Sequence, residues 1–211
     1  MIFGREFKKL YKSPETVIEN MRSVHGQCLQ EELVNGKDWY RHANLFSLAL
    51  AETYKVSEMK VAGVIAALSP QKEWQLNKVL AEEFLRTKGK ITRHTAMQSN
   101  KARKILNYAQ TREDIEMYLG GLKTINFFNN IYDPESRDHV TVDRHHIYLS
   151  IGWDAQACTP KQYEFLKQNT VIFAKEVDMI PSELQSTLWV CWKRIKKNDE
   201  EKTSSSQEAQ T

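Results

Sequence analysis

Apolar positions recur every three or four residues along most of the chain, with polar positions between them. That is the period of an amphipathic helix. Ser13-Pro14-Glu15 supplies an N-cap and an N1 proline ahead of Val17, Ile18, Met21 and Val24, which share one helix face. Residues 41–54 carry Leu45, Leu48 and Ala49 at the same spacing. Residues 56–69 are almost continuous in small and branched apolar side chains and predict a buried helix ending near Pro70. Trp74, Leu76, Val79, Leu80, Phe84 and Leu85 predict a further helix over 73–87. Thr111 and Asp114 have the spacing of a capping box and open a short helix to Leu119, which Gly120 and Gly121 end. Lys123-Thr124 starts the next helix, through Phe127, Phe128 and Ile131. Thr159-Pro160 and Pro181 begin two more, the last marked by Leu184, Leu188, Trp192 and Ile195. Alternation of period two is scarce, and 139–142 is the one segment expected to be extended. The predicted fold class is all-α, with about eight to ten helices. Beyond Lys197 the chain loses its apolar content, which predicts a disordered polar tail over 198–211 and a single helical domain over 1–197. No internal repeat is visible.

A chain of 211 residues, 41% of them hydrophobic, can bury a core without disulfide or metal staples. Mean hydropathy is −0.58, and no stretch approaches the roughly 20 apolar residues of a membrane span. The start, Met1-Ile2-Phe3-Gly4-Arg5-Glu6, carries no apolar run with a cleavage site, so secretion is not expected. Cys28, Cys158 and Cys191 are widely spaced and odd in number, which predicts neither a disulfide framework nor a Cys-rich metal site. A reducing cytoplasm is the expected location. Net charge is only +3, yet residues 86–104 hold seven Lys or Arg and no Asp or Glu. Within that stretch Lys101, Arg103 and Lys104 are candidate phosphate contacts, and Arg5, Lys8, Lys9 and Lys12 form a second basic cluster. Solvated helix ends and a loop would account equally for these charges.

The most informative stretch is 119–150. A short helix ends at Gly120-Gly121 and a new one begins at once, which exposes backbone N–H groups where an anionic phosphate is favoured. A loop then leads to Val142-Asp143-Arg144-His145-His146. Three blocks, in order, carry a family resemblance: Ala67-Leu68-Ser69-Pro70-Gln71-Lys72-Glu73-Trp74-Gln75-Leu76-Asn77-Lys78, then Leu119-Gly120-Gly121-Leu122-Lys123-Thr124, then Val142-Asp143-Arg144-His145. In these the chain resembles the helix-hairpin-helix DNA glycosylases, the superfamily of endonuclease III and 8-oxoguanine glycosylase. The Lys101-Ala102-Arg103-Lys104-Ile105-Leu106 helix and the helix from Pro181 fit the same order. Leu119 stands where the family hairpin has its first glycine, and the iron–sulfur cysteines of endonuclease III are absent. The Asp143-Arg144-His145-His146 string looks closer to compact phage-encoded relatives, some of them proposed to act in thymine hypermodification, which would place the protein in a host-cell cytoplasm.

The resemblance implies a two-lobed helical fold, a monomer acting on double-stranded DNA away from any membrane, and no cofactor. It implies that a nucleotide is flipped from the duplex and its N-glycosidic bond cut. Asp143 would stabilise positive charge on the deoxyribose, and Lys123 matches the amine that forms a Schiff base in members with lyase activity. Gln71 matches the side chain inserted into the vacated stack. Gly120, Gly121 and Thr124 would hold phosphate, with Arg144 and His145 in support. The residues read alone also allow Asp143 as a plain N-cap, Lys123 as a surface lysine and Ser69-Pro70-Gln71 as an ordinary turn. A different enzyme on the same fold, modifying a base in place, and a non-catalytic DNA-binding hairpin protein are the alternatives. His139, Asp143, His145 and His146 lie within eight residues, but adjacent histidines point to different helix faces, so no metal site is expected. Trp189 and Trp192 fit a core pattern, whereas Trp39, Tyr40 and Trp74 are candidates for a groove or pocket.

Overall fold

The fold comes from a computed structural model, which describes residues 13–90, 93–152, 155 and 157–208. Among them there are eleven helices and no strand, so the protein is all-α. In chain order these are α1 (Pro14–His25), α2 (Gln30–Lys37), α3 (Trp39–Tyr54), α4 (Glu58–Leu68), α5 (Trp74–Arg86), α6 (Ala96–Tyr108), α7 (Arg112–Leu119), α8 (Leu122–Tyr132), α9 (Arg144–Ile151), α10 (Pro160–Glu176) and α11 (Pro181–Glu208). They group into two compact units. The terminal unit is Met1–Trp39 with Val142–Thr211, and the inserted unit is Tyr40–Thr141. The basic cluster Arg5, Lys8, Lys9 and Lys12 lies outside the described residues.

The inserted unit is organised by α4. Every residue from 61 to 68 is buried, as expected for a helix that is apolar all round. Helices α5, α6, α7 and α8 all pack on it. They bring Leu80 and Phe84, Ala102 and Ile105, Ile115 and Leu119, and Phe128 and Ile131 into the core. Gly63 lets α6 and α7 approach: a Cβ there would lie 2.9 Å from Ile115 Cγ2 and 3.0 Å from Ile105 Cγ2. Helix ends follow local chemistry. Thr111 Oγ1 accepts from Asp114 N while Asp114 Oδ2 accepts from Thr111 N, the reciprocal cap expected for α7.

The terminal unit packs α1 against α9, α10 and α11 through Val17, Met21 and Val24. Its tightest contact is between α2 and α11. Gly36 lies so close to Thr187 that a Cβ would collide with the Thr187 backbone. Ser186 Oγ donates to the Gly36 carbonyl at 2.6 Å, and Arg194 donates to both Glu32 carboxylate oxygens at 2.8 and 3.0 Å. Apolar periodicity does not reveal α2, because the residues it buries are Glu32 and Gly36.

Helix α11 runs on through residues 198–208, where a polar tail is expected, to Glu208; the stretch holds no proline or glycine and keeps Glu, Lys and Gln, which favour the helix. Residues 139–142, expected to be extended, lie outside the helices and bond to side chains of α8 and α10. Trp189 and Trp192 are half-buried rather than core, and Tyr40 is buried rather than groove-lining, its hydroxyl donating to Thr141 Oγ1 at 3.0 Å.

Gly36→Ala should destabilise the protein by about 1–3 kcal/mol, because the helices must part around backbone that cannot move aside. Gly26→Ala, at a right-handed position with nothing nearer than 3.5 Å, is the control and should leave the melting temperature unchanged or raised. Thermal denaturation of both variants checks this; equal losses would remove the special role of Gly36.

Candidate functional site

The hairpin of the inserted unit begins where α7 runs out at Leu119. Gly120 adopts φ 70°, a left-handed conformation that favours glycine, and its N–H returns to the Glu116 carbonyl at 2.9 Å. Gly121 then serves as the N-cap of α8 and has no side chain to cap the first-turn N–H groups. Gly121, Leu122 and Lys123 are all exposed. Thr124 Oγ1 donates back to the Gly121 carbonyl at 2.9 Å, which fixes the turn from below. Lys101 Nζ donates to the Leu119 carbonyl at 2.5 Å, placing an ammonium at the C-terminus of α7, beside the turn. Lys104, one turn further along α6, is exposed and sits 6.0 Å from the Tyr118 ring. The outcome is an exposed turn that combines uncapped first-turn N–H groups with positive charge, the arrangement that favours an anion.

A part-buried polar network sets the two arms of the hairpin. Arg112 Nε donates to Asn129 Oδ1 at 2.7 Å, and Asn129 Nδ2 donates to Glu116 Oε1 at 2.8 Å, tying α7 to α8. Arg112 also donates to His139 Nε2 at 2.7 Å. Asn126 Oδ1 faces His139 Nδ1 and accepts from Val140 N, both at 3.3 Å. Asn130 Nδ2 donates to the Thr141 Oγ1 that Tyr40 also reaches. Sequence reasoning missed this network. Its signal was present in Asn126, Asn129 and Asn130, amides three and four residues apart inside an otherwise apolar helix, where each needs a partner.

Asp143 lies in the terminal unit, at the N-cap of α9, where its Oδ1 accepts from His146 N at 2.8 Å. Two neighbours fix it. Val142 N donates to the Tyr163 hydroxyl at 3.1 Å, and His146 anchors the next turn. Thr170 Oγ1 gives its hydrogen to the Leu166 carbonyl at 2.9 Å, so the His146 Nε2–H donates to Thr170 at 2.8 Å and Nδ1 is the unprotonated nitrogen. That Nδ1 is buried without a partner. Burial pushes the His146 imidazole down to about 4, against a smaller upward pull from the Asp143 carboxylate. His145, on the adjacent face, is half-buried; burial lowers it too, with Asp143 pulling up and Arg144, Lys196 and Lys193 pushing down.

The other sequence candidates are dispersed. Gln71 is exposed at the tip of the α4–α5 turn with φ 61°, a strained conformation for a residue with a side chain. His94, which sequence reasoning overlooked, holds that turn by donating from Nε2 to the Pro70 carbonyl at 3.1 Å. Arg103 donates to the Gly89 carbonyl at 2.9 Å and to Asn100 Oδ1 at 2.8 Å, so it holds the end of α5 and its own helix. Trp74 is half-buried, edge-on to Phe46 at 6.0 Å. Lys123 belongs to the inserted unit and Asp143 to the terminal unit. Among the described residues, no three His, Cys, Asp or Glu side chains are arranged to hold a metal ion, and no helix is long and apolar enough to cross a membrane.

Fold and site together define an all-helical protein of two units with an uncapped helix–Gly-Gly–helix turn. The chain belongs to the family described as "Family of unknown function (DUF7178)", whose model matches residues 5–196. No curated protein and no solved structure matches it.

Two predictions come from Asp143 and His146. Asp143→Ala should lose about 1 kcal/mol with its cap, whereas Asp143→Asn, an equally good cap, should stay within a few tenths. Equal melting temperatures for the two would deny the cap its role. For His146, the folded value lies below the unfolded value near 6.5, so the unfolded chain takes up the proton first. Its contribution is complete above pH about 6.5 and is lost as pH falls toward about 4, up to about 3 kcal/mol. His146→Asn should be less stable at pH 7.5 and should flatten the fall in melting temperature between pH 6.5 and 4.5; an unchanged slope would assign the acid sensitivity elsewhere.

Proposed function

We propose that this is a DNA-acting enzyme of the glycosylase type, which cleaves the N-glycosidic bond between a base and its deoxyribose. The observation that carries the proposal is the exposed, uncapped turn at Gly120-Gly121, with Lys101 seated on the carbonyl that ends α7. Phosphate is the anion such a turn suits, and the part-buried Arg112–Asn129–Glu116 bonds hold the two arms of the turn together before any ligand arrives. Lys104 and Lys123 add exposed positive charge on the two sides of the turn. Gln71, held out on a strained turn, suits insertion into a base stack.

Asp143 suits the chemical step. Its Oδ1 is occupied by the His146 N–H, which leaves Oδ2 to face a deoxyribose and orient a water. In the reaction the C1′–N bond breaks, the base departs with the bonding electrons and a proton, and hydroxide from water adds at C1′. A fixed carboxylate lowers the energy of the cationic sugar between those events. Lys123 is exposed in the first turn of α8, which fits a phosphate contact; a lyase step would require the same amine to attack C1′.

The test is chromatography with mass detection of free base, released from duplexes that carry normal, damaged or phage-type modified bases. Wild type should release at least one base, and Asp143→Asn should lose at least about 100-fold while folded and bound to DNA. Release that is equal in the variant removes Asp143 from the chemistry. Binding without release by wild type rejects the glycosylase in favour of in-place modification, read as a mass change in the DNA, or of a hairpin protein without chemistry.

A further inference from the structure

In the inserted unit, two of the three basic residues singled out for DNA are engaged within the protein: Lys101 and Arg103 each hold a carbonyl at a helix end. The terminal unit carries its own positive charge next to Asp143. On α11, Trp189, Lys193 and Lys196 follow one another at four and three residues and so share a face. Helix α9 packs against α11, and His145 in its first turn feels three cations, Arg144, Lys196 and Lys193, against one carboxylate, Asp143. Arg144 and Lys193 are exposed, with Lys196 half-buried.

Aromatic rings form the floor of this face. Lys193 Nζ lies 4.4 Å from the centre of the Trp189 ring, and Trp189 meets Trp39 edge-on at 6.0 Å. Tyr148 and Trp192 make a second edge-on pair at 5.1 Å. The ring contact steers the Lys193 ammonium, so that less side-chain freedom is lost when it meets an anion.

We propose that Arg144, Lys193 and Lys196 form a second phosphate-binding face, which grips the DNA strand on either side of the nucleotide presented to Asp143. The inference rests on the DNA-acting function proposed above and adds where the terminal unit meets the strand. Charge complementarity selects DNA as the occupant: repeated phosphates suit cations spaced along a helix. The nearby carboxylate disfavours a lone small anion on the same spot but suits a strand whose sugar becomes cationic.

Fluorescence anisotropy with a labelled duplex, from 50 to 200 mM NaCl, tests the face on the full chain. Lys193→Gln with Lys196→Gln should weaken binding and reduce the slope of log K against log salt by about 1.8, two phosphate contacts at about 0.9 each. Lys37→Gln with Lys175→Gln, the same loss of charge at exposed positions on the same unit, should leave the slope unchanged. Both double variants change surface side chains, and their melting temperatures confirm folding. If wild type binds and the Lys193/Lys196 variant keeps its slope, or the control loses as much, the face is not a strand contact while the proposed function stands. If wild type does not bind the duplex at all, the proposed function and the face fall together.

Discussion

The burial of α4 is the constraint on which the inserted unit depends. A helix with eight consecutive buried residues has no solvent face, so it must be surrounded, and α5 to α8 surround it. Placing α7 and α8 against the same rod brings the end of one close to the start of the other. Only a two-residue connection then fits, and the left-handed Gly120 makes it. The uncapped Gly120-Gly121 turn is thus a by-product of how a fully apolar helix is covered. Gly63 sharpens the geometry by letting Ile105 and Ile115 close on the rod.

Side-chain polarity does the corresponding work where apolar packing leaves off. The Asn126 and Asn130 amides bind the 139–141 segment to α8, Asn129 ties α8 to α7, and Tyr163 receives the N–H of Val142. Asp143 is therefore delivered to its cap by bonds that have nothing to do with its carboxylate. Capping and catalysis are compatible roles for one side chain: a cap fixes the rotamer through one oxygen, and a fixed second oxygen is what electrostatic stabilisation of a sugar cation requires.

Much of the helical layout was legible in the sequence, for identifiable reasons. Proline at N1, the Thr111/Asp114 box and the Gly120-Gly121 stop are local signals, and local signals survive without knowledge of the fold. Helix α2 was not legible, because its contact with α11 rests on a missing side chain at Gly36 and an ion pair from Glu32 rather than on an apolar stripe. The surroundings of the basic stretch were not legible for a related reason. Composition records that Lys101 and Arg103 are charged, but only the fold shows that they end on the Leu119 and Gly89 carbonyls. The two adjacent histidines looked alike in the sequence; one is wholly buried on Thr170 and the other lies among the charges of α11.

The chain order of the two units also bears on how the protein is made. The terminal unit takes its helices from both ends of the chain, while the inserted unit is one continuous stretch. During synthesis, α1 and α2 precede the inserted unit, yet α9, the next helix to pack on α1, follows only after roughly 100 intervening residues, on the order of 5–20 s later, and α11, which covers Gly36, later still. The inserted unit is made within that interval as one continuous stretch. Helix α1 meanwhile waits with the apolar stripe of Val17, Met21 and Val24 uncovered until its partners in the terminal unit are made.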